Sequence, residues 1–228
     1  MKILALDTAT EACSVALGLG DRVLERYVEL ERGHAERLLP MVDELLAEGG
    51  VTLGALDAIA FGRGPGGFTG VRLAASVAQG LAFGAGVGVV PVSDLAAVAQ
   101  RAVTLAPGVR RVLAVNDARM REVYWAEFAV DGLVTPRGIE QVSPASAVTM
   151  PSEVADAPWV AVGRGLRAWP ELAERCRAQG AMLLPDLLPR ARELLLLAVP
   201  TVSAGQALPP EQALPVYVRE RVAEAATS

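Results

Sequence analysis

The sequence is poor in the residue types on which metal sites and nucleophilic catalysis usually depend. Its 228 residues include a single histidine, His34, and two cysteines, Cys13 and Cys176. Because a histidine-based metal site needs several imidazoles converging on the ion, such a site is excluded within one chain. No serine or cysteine nucleophile motif accompanies His34, so we expect it to cap a helix or contact a partner. Two cysteines far apart in sequence do not indicate a secreted disulfide framework.

Positive charge and long apolar runs are also scarce. The chain has 21 Lys and Arg against 26 Asp and Glu, a formal net charge of −5 and a sequence pI of about 5.1. A protein that bound RNA by itself would carry a basic face, because phosphate contacts supply much of the affinity. Any RNA would therefore have to be held mainly by a partner. The apolar stretch over residues 81–92 is shorter than the roughly 20 residues of a membrane span, and no targeting segment is recognisable. We expect a cytoplasmic protein without a membrane partner.

The apolar pattern predicts two related α/β lobes. Strands are predicted at 3–7, 13–19 and 22–30 as an antiparallel meander, followed by a helix that begins late or kinks at Pro40 and ends at Gly49-Gly50. A strand at 57–61, a helix at about 70–83, a strand at 87–92 and a helix capped by Ser93 follow. The arrangement begins again at residues 113–117. The lobes are predicted as 1–107 and 108–228, with mixed sheets flanked by helices, as in the actin, hexokinase and Hsp70 class.

The glycine-rich segment GRGPGGFTG at 62–70 separates a predicted strand from a predicted helix. Such a loop can hold an anion on backbone amides at a helix N-terminus, although no Lys-Ser/Thr pair follows it as in a Walker A loop. Alternatively, its glycines allow close packing and Thr69 caps the helix. Loop chemistry alone does not choose between these interpretations. Asp7 and Asp117 end matching strands and would face the cleft between lobes, where they could act in catalysis or merely cap local turns. Residues assigned to a candidate vestigial nucleotide or anion loop are Asp7, Thr8, Gly64, Gly66, Gly67, Thr69, Asp117 and Arg119.

The helix after this loop is apolar on most sides. Its polar residues Arg72, Ser76 and Gln79 form one narrow stripe, which Phe83 continues. A helix of this kind is buried on most sides, either inside its own chain or against a partner chain. We favour the partner chain.

The sequence resembles the bacterial TsaB (YeaZ) family, whose members take part in making threonylcarbamoyladenosine in tRNA. The resemblance covers nearly the whole chain. It is carried by ILALDTATEACSVAL at 3–17, GHAERLLPMVDELL at 33–46, DAIAFGRGPGGFTGVRLAASVAQGLAF at 57–83, NDARMREVYWAEF at 116–128 and PVYVRERVA at 215–223. The pattern GPG-x-FTG-x-R is highly specific. Gly67 stands where the family usually has serine.

The resemblance implies a non-catalytic scaffold subunit without cofactor, metal or catalytic residues of its own. It implies that the chain binds and orders TsaD, a catalytic paralogue, helps recruit the ATPase TsaE, meets tRNA only through the complex, and forms a homodimer when alone. Asp94 and Val98 match the positions of TsaD's metal-binding histidines. The implied partner and dimer surface consists of His34, Arg37, Leu38, Met41, Val42, Leu45, Arg72, Ala75, Ser76, Gln79 and Phe83.

Two enzymatic hypotheses remain as alternatives. One is an actin-like ATPase or small-molecule kinase that uses the glycine loop and Asp7. The other is a peptidase, for which the sequence offers no nucleophile–base pair. The scaffold hypothesis predicts that Leu45→Asp or Ala75→Arg abolishes partner binding and leaves the fold intact.

Overall fold

Two mixed β-sheets flanked by helices make up the fold. The computed structural model describes residues 1–151 and 158–219, so the last residues of the motif at 215–223 lie outside the described part. The strands of the first sheet are β1 (Lys2–Asp7), β2 (Ala12–Leu19), β3 (Arg22–Glu29), β4 (Ala58–Gly62) and β5 (Gly88–Val92). Their spatial order is β3-β2-β1-β4-β5. The first three strands form the expected antiparallel meander, and β4 and β5 continue the sheet parallel to β1.

The second sheet repeats this plan. Its strands are β6 (Arg111–Asp117), β7 (Glu122–Asp131), β8 (Leu133–Pro136), β9 (Gln141–Pro144), β10 (Trp159–Val162) and β11 (Met182–Leu184). The spatial order is β11-β10-β6-β7-β8, and β9 also pairs with β7. Again one antiparallel side and one parallel side meet at the first strand of the lobe. The predicted fold class is confirmed, while the boundary near residue 107 stays a prediction.

In the part of the chain that the structure describes, six helices connect and cover the sheets. They are α1 (His34–Gly49), α2 (Phe68–Ala85), α3 (Asp94–Leu105), α4 (Gly165–Ala168), α5 (Pro170–Ala178) and α6 (Ala191–Ser203). Gly50 caps α1 in the left-handed conformation, as the Gly49-Gly50 pair predicts. The Ser93 side chain caps α3 by accepting a hydrogen bond from Ala96 N at 3.1 Å. Of the two alternatives for Pro40, the late start is wrong, because α1 begins at His34 and includes Pro40; a kink at Pro40 stays a prediction.

Helices α3 and α6 each cover the sheet of the other half. α3 packs on β6, β7, β8 and β10, whereas α6 packs on β1, β2, β4 and β5. The two helices also pack on each other, and Ala97 of α3 belongs to the same buried cluster as Leu194 of α6. This exchange joins the halves through apolar surface that both must bury. In the described ranges, none of the helices combines the length and apolarity that crossing a bilayer requires.

α1 packs on the first sheet through one apolar stripe. Four residues of α1 are buried in one cluster with residues of β1 and β4. The α1 residues are Leu38, Met41, Val42 and Leu45, and the strand residues are Leu4, Leu6, Ile59 and Phe61. The expectation that Leu45→Asp and Ala75→Arg would leave the fold intact is therefore wrong, because both side chains lie in the core of the chain itself.

Replacing Leu45 by alanine tests this packing. We expect Leu45→Ala to lower the free energy of unfolding by about 2–5 kcal/mol, since it leaves a cavity between α1 and the sheet. Leu39→Ala is the matched control on the same helix, where the Leu39 side chain is exposed, and it should change stability by no more than about 0.5 kcal/mol. Urea denaturation measures both, and equal effects would contradict this placement of α1.

Candidate functional site: the inter-lobe cleft and the outer face of α2

The glycine-rich loop lies directly on the turn that follows β1. Gly67 N donates a hydrogen bond to Ala9 O at 2.7 Å, and Thr8 Oγ1 donates to Gly70 O at 2.7 Å. A Cβ atom at Gly66 would collide with Ala9 O, and one at Gly70 would collide with Thr8 O. These glycines therefore permit a close backbone approach that no other residue allows. The turn after β1 thus takes up the amide of Gly67, one of the groups that could otherwise hold an anion.

Thr69 does not cap α2, contrary to one interpretation of the sequence. The helix begins at Phe68, its N-cap residue is Gly67, and no side chain caps it. Thr69 lies exposed within the first turn.

Two buried carboxyl groups hold these segments: Asp7 bonds to the turn after β1 and Asp94 bonds to the loop. Asp7 Oδ1 accepts a hydrogen bond from Ala9 N at 2.8 Å, and Asp94 Oδ2 accepts one from Gly64 N at 2.5 Å. Gly62 lies between the two groups, since a Cβ there would be 2.6 Å from Asp7 Oδ1 and 2.5 Å from Asp94 Oδ1. Burial raises the pKa of Asp7. Burial also raises the pKa of Asp94 well above its usual value, and the charge of Asp7 raises it further.

A cleft of about 700 Å³ separates the two lobes. Its walls are the turn after β1, the start of α1, the glycine loop, the β6–β7 turn and residues 216–219. Six of the eight residues assigned to a vestigial loop line this cleft, namely Thr8, Gly66, Gly67, Thr69, Asp117 and Arg119. Asp7 and Gly64 are not among its lining residues, because the loop and the turn close over them.

The second lobe contributes a polar wall to the cleft. Asn116 is buried, and within the described ranges neither atom of its amide has a hydrogen-bond partner. Asp117 Oδ1 accepts a hydrogen bond from Arg119 N at 3.0 Å, so it caps its own turn. Arg119, Met120 and Arg121 all have positive φ, between 50 and 64°, a conformation that is costly for non-glycine residues. Across the cleft, Arg119 lies 3.6 Å from Glu11, an exposed pair of small energetic value.

His34 lies at the rim of the cleft as the first residue of α1. Its Nε2 is 3.0 Å from Thr10 O, so the ring ties the helix start to the turn after β1. Its expected contact with a partner stays a prediction.

Among residues 1–151 and 158–219 no group of three or more potential metal ligands comes together. Asp94 holds Gly64 N, and Val98 is part of the core.

The eleven residues of the implied partner surface fall into two groups. Five are buried inside this chain, so their side chains do not reach the surface: Leu38, Met41, Val42, Leu45 and Ala75. Six are exposed or half-buried: His34, Arg37, Arg72, Ser76, Gln79 and Phe83. A partner could therefore meet α1 and α2 only through their outer faces, and the surface as a whole stays a prediction.

The outer face of α2 exposes apolar and small residues. Phe83 is 80% exposed and Phe68 is 45% exposed, with Ser76 and Gly80 at the surface between them. Gln79 Nε2 donates a hydrogen bond to Pro210 O at 3.1 Å. We call Phe68, Arg72, Ser76, Gly80 and Phe83 the α2 outer face.

The segment Leu214–Tyr217 extends the α2 outer face and was missed as a surface by sequence analysis. The Arg72 guanidinium lies 3.7 Å above the Phe68 ring, and its Nε donates to Tyr217 Oη at 2.6 Å. Leu214 and Val216 are also exposed. The motif at 215–223 was the signal in the sequence, but nothing in its composition shows which helix it packs against.

Comparison with known proteins identifies close relatives. Residues 28–184 match the family model described as TsaD, tRNA N6-adenosine threonylcarbamoyltransferase. The chain is 43% identical to the tRNA threonylcarbamoyladenosine biosynthesis protein TsaB of Escherichia coli, over 98% of this chain and 96% of that one. It is 41% identical to TsaB of Haemophilus influenzae over 82% of each chain.

Solved structures give the same result. YeaZ from Pseudomonas aeruginosa is 48% identical, with a TM-score of 0.87 over 95% of this chain and 99% of that chain. A second structure, described as an uncharacterized protein with similarity to peptidase YeaZ from Pseudomonas aeruginosa, is 49% identical, with a TM-score of 0.88 over 96% and 99% of the two chains.

Two glycines of α2 offer a matched test of the close approach to the β1 turn. Gly70→Ala should lower the free energy of unfolding by about 1–3 kcal/mol or more, because its methyl group collides with Thr8 O. Gly80→Ala should raise it by about 1 kcal/mol, since nothing lies near a Cβ there and alanine favours the helix. Thermal unfolding measures both, and a stabilising Gly70→Ala would contradict the described contact.

Proposed function

The chain belongs to the TsaB (YeaZ) family of tRNA threonylcarbamoyladenosine biosynthesis proteins, and on that premise we propose that it acts as a non-catalytic scaffold subunit. Its role is to bind and order a TsaD-like catalytic paralogue, which transfers the threonylcarbamoyl group to the adenosine beside the tRNA anticodon. The observation that carries this proposal is the α2 outer face, where Phe83 lies 80% exposed at the end of a helix whose other sides are packed. Exposed aromatic residues are typical of protein interfaces.

The state of the glycine loop supports the non-catalytic part of the proposal. Gly64 N and Gly67 N are both engaged by the chain itself, the first by Asp94 and the second by Ala9 O. Asp7, the carboxylate that would serve a kinase, is buried beneath the loop. Two amides of the loop and the Asp7 carboxyl group are thus used in holding the loop and the turn in place.

The remaining parts of the proposal concern the other components. We propose that the chain helps recruit a TsaE-like ATPase, forms a homodimer through the α2 outer face when TsaD is absent, and works in the cytoplasm. It meets tRNA through the complex, which agrees with its net charge of −5.

Two enzymatic alternatives have weaker support. The cleft of about 700 Å³ is large enough for a nucleotide, which favours an actin-like ATPase or kinase, but Asp7 does not reach it. For a peptidase, the His34 ring bonds to a backbone carbonyl. Burial raises the pKa of the Cys13 and Cys176 thiols to about 11, so both are protonated at neutral pH.

Reconstitution with one component left out tests the function. TsaD, TsaE, the threonylcarbamoyl-adenylate synthase, ATP, threonine, bicarbonate and tRNA are combined with and without this protein, and the modified nucleoside is quantified. We expect modification to require the protein, and the protein alone to turn over no ATP. Equal modification without it would overturn the scaffold role, and ATP turnover lowered by Asp7→Ala would favour the kinase alternative.

A charge on the α2 outer face tests the proposed interface. Phe83→Glu should weaken binding to the TsaD-like partner about tenfold or more, because it places an unpaired charge in an apolar contact. Ile139→Glu is the matched control, since Ile139 is equally exposed, at 81%, on the second lobe. Calorimetric titration measures both affinities, while unchanged melting temperatures show that both variants fold. Equal affinities would exclude the α2 outer face as the interface.

A further inference from the structure

Asp7 and Asp94 form a buried carboxyl pair that the proposed function does not use. Both residues are fully buried. One oxygen of each has a backbone donor, as described above, while Asp7 Oδ2 and Asp94 Oδ1 have no donor among the described residues. A buried carboxylate oxygen without a donor loses its hydration and gains nothing in return.

The surroundings do not neutralise two negative charges. The titratable groups that face the pair are Cys13 on β2, His34 at the start of α1, and Glu140 between β8 and β9. His34 lowers the pKa of Asp7 only as the weakest of several influences. Glu140 adds negative charge near Asp94, although Arg63 pairs with Glu140 at 3.0 Å. Two ionised carboxylates at this depth would repel each other with little screening.

A single shared proton supplies the missing hydrogen-bond donor and removes one of the two negative charges. The Asp7 and Asp94 side chains lie within hydrogen-bonding reach of each other. If one carboxyl group is protonated, it becomes a donor and the other remains an acceptor, so the two groups can satisfy each other. We propose that Asp7 and Asp94 share one proton in the folded protein, and that this proton fastens the glycine-rich loop to the turn after β1.

The hydrogen bonds of Asp7 and Asp94 to the backbone determine which segments the shared proton holds together. Asp7 holds the turn through Ala9 N, and Asp94 holds the loop through Gly64 N. Asp94 N in turn donates to Gly64 O at 3.0 Å, so the start of α3 and the loop are joined twice. Joining the two carboxyl groups therefore links three segments: the turn, the loop and α3. Loss of the proton would place like charges on both sides of Gly62 and push the turn and the loop apart.

The sharing also limits what Asp7 can do. While its free oxygen accepts the shared proton, Asp7 is neither a general base for a ligand in the cleft nor a free ligand for a cation. While the proton is shared, the Asp7 carboxyl group therefore takes no part in catalysis or ligand binding in the cleft.

The shared proton makes stability depend on pH in a defined direction. Burial raises the pKa of Asp94 well above that of an unfolded aspartate, and it raises the pKa of Asp7 as well. Above the unfolded value of about 4, the unfolded pair has lost both protons while the folded pair keeps one. The stabilising effect is therefore greatest at low pH and is lost as pH rises toward the folded pKa of Asp94.

Infrared spectroscopy of the purified protein counts the proton directly. We expect one protonated-carboxyl stretching band at pH 7 in the wild type, and its loss in Asp94→Asn and in Asp7→Asn. Asparagine at position 94 reproduces the protonated acid, because its oxygen can accept from Gly64 N and its amide can donate to Asp7. The absence of the band in the wild type, or its persistence in both variants, would overturn the proposal, and the wild-type spectrum decides even if a variant fails to fold.

Urea denaturation at several pH values supplies the second readout. Between about pH 5 and 7, the ratio of the folding equilibrium constants of wild type and Asp94→Asn should fall about tenfold per pH unit, as one bound proton requires. Asp117→Asn is the matched control, because Asp117 also caps a turn after the first strand of a lobe but has Arg119 beside it rather than a second carboxyl group. The corresponding ratio should stay constant for this control.

Magnesium chloride tests the competing explanation that a cation binds between the carboxylates. We expect it to leave the infrared band and the melting temperature of the wild type unchanged at pH 7. Loss of the band together with a rise in melting temperature would show a cation site in place of the shared proton.

Discussion

The direct backbone contact between Gly70 on α2 and Thr8 after β1 is the constraint on which the site depends. It holds the start of α2 against the turn, and Gly66 of the glycine loop also approaches Ala9 O too closely for a Cβ atom. The same contact fixes the direction in which α2 leaves the sheet. Because the inner side of α2 is buried against the first sheet, its outer face is left to solvent. One close approach thus ties the start of α2 to the turn and presents the surface that we propose for a partner.

The cleft and the α2 outer face differ in character, since the cleft is lined by many polar groups and the α2 outer face exposes aromatic rings. The cleft keeps the architecture of a ligand site, with turns from both lobes facing each other, but several of its charged groups, among them Arg119, Arg164 and Arg219, pair within the chain. The α2 outer face has few internal partners and large exposed rings. This contrast agrees with a fold that keeps the framework of an enzyme class while its function depends on association.

Much of this could be predicted from the sequence because it is local. The meander, the Ser93 cap and the Gly50 helix end follow from patterns within a few residues. The apolar stripe of α1 shows that Leu45 is buried, but periodicity does not tell whether its own sheet or another chain covers it. The pairing of Asp7 with Asp94 joins residues far apart in sequence, and so does the stacking of Tyr217 on Phe68 and Arg72. Such contacts follow from the topology of both sheets, which no short pattern contains.

The exchange of α3 and α6 has a consequence for how such a duplicated chain can evolve. Each sheet depends for its covering layer on a helix encoded in the other half of the gene. Deleting either half would strip the surviving sheet of that layer and expose a broad apolar face to water. Neither half can therefore be shed without exposing the sheet of the other. A duplicated molecule built in this way is inherited as a whole.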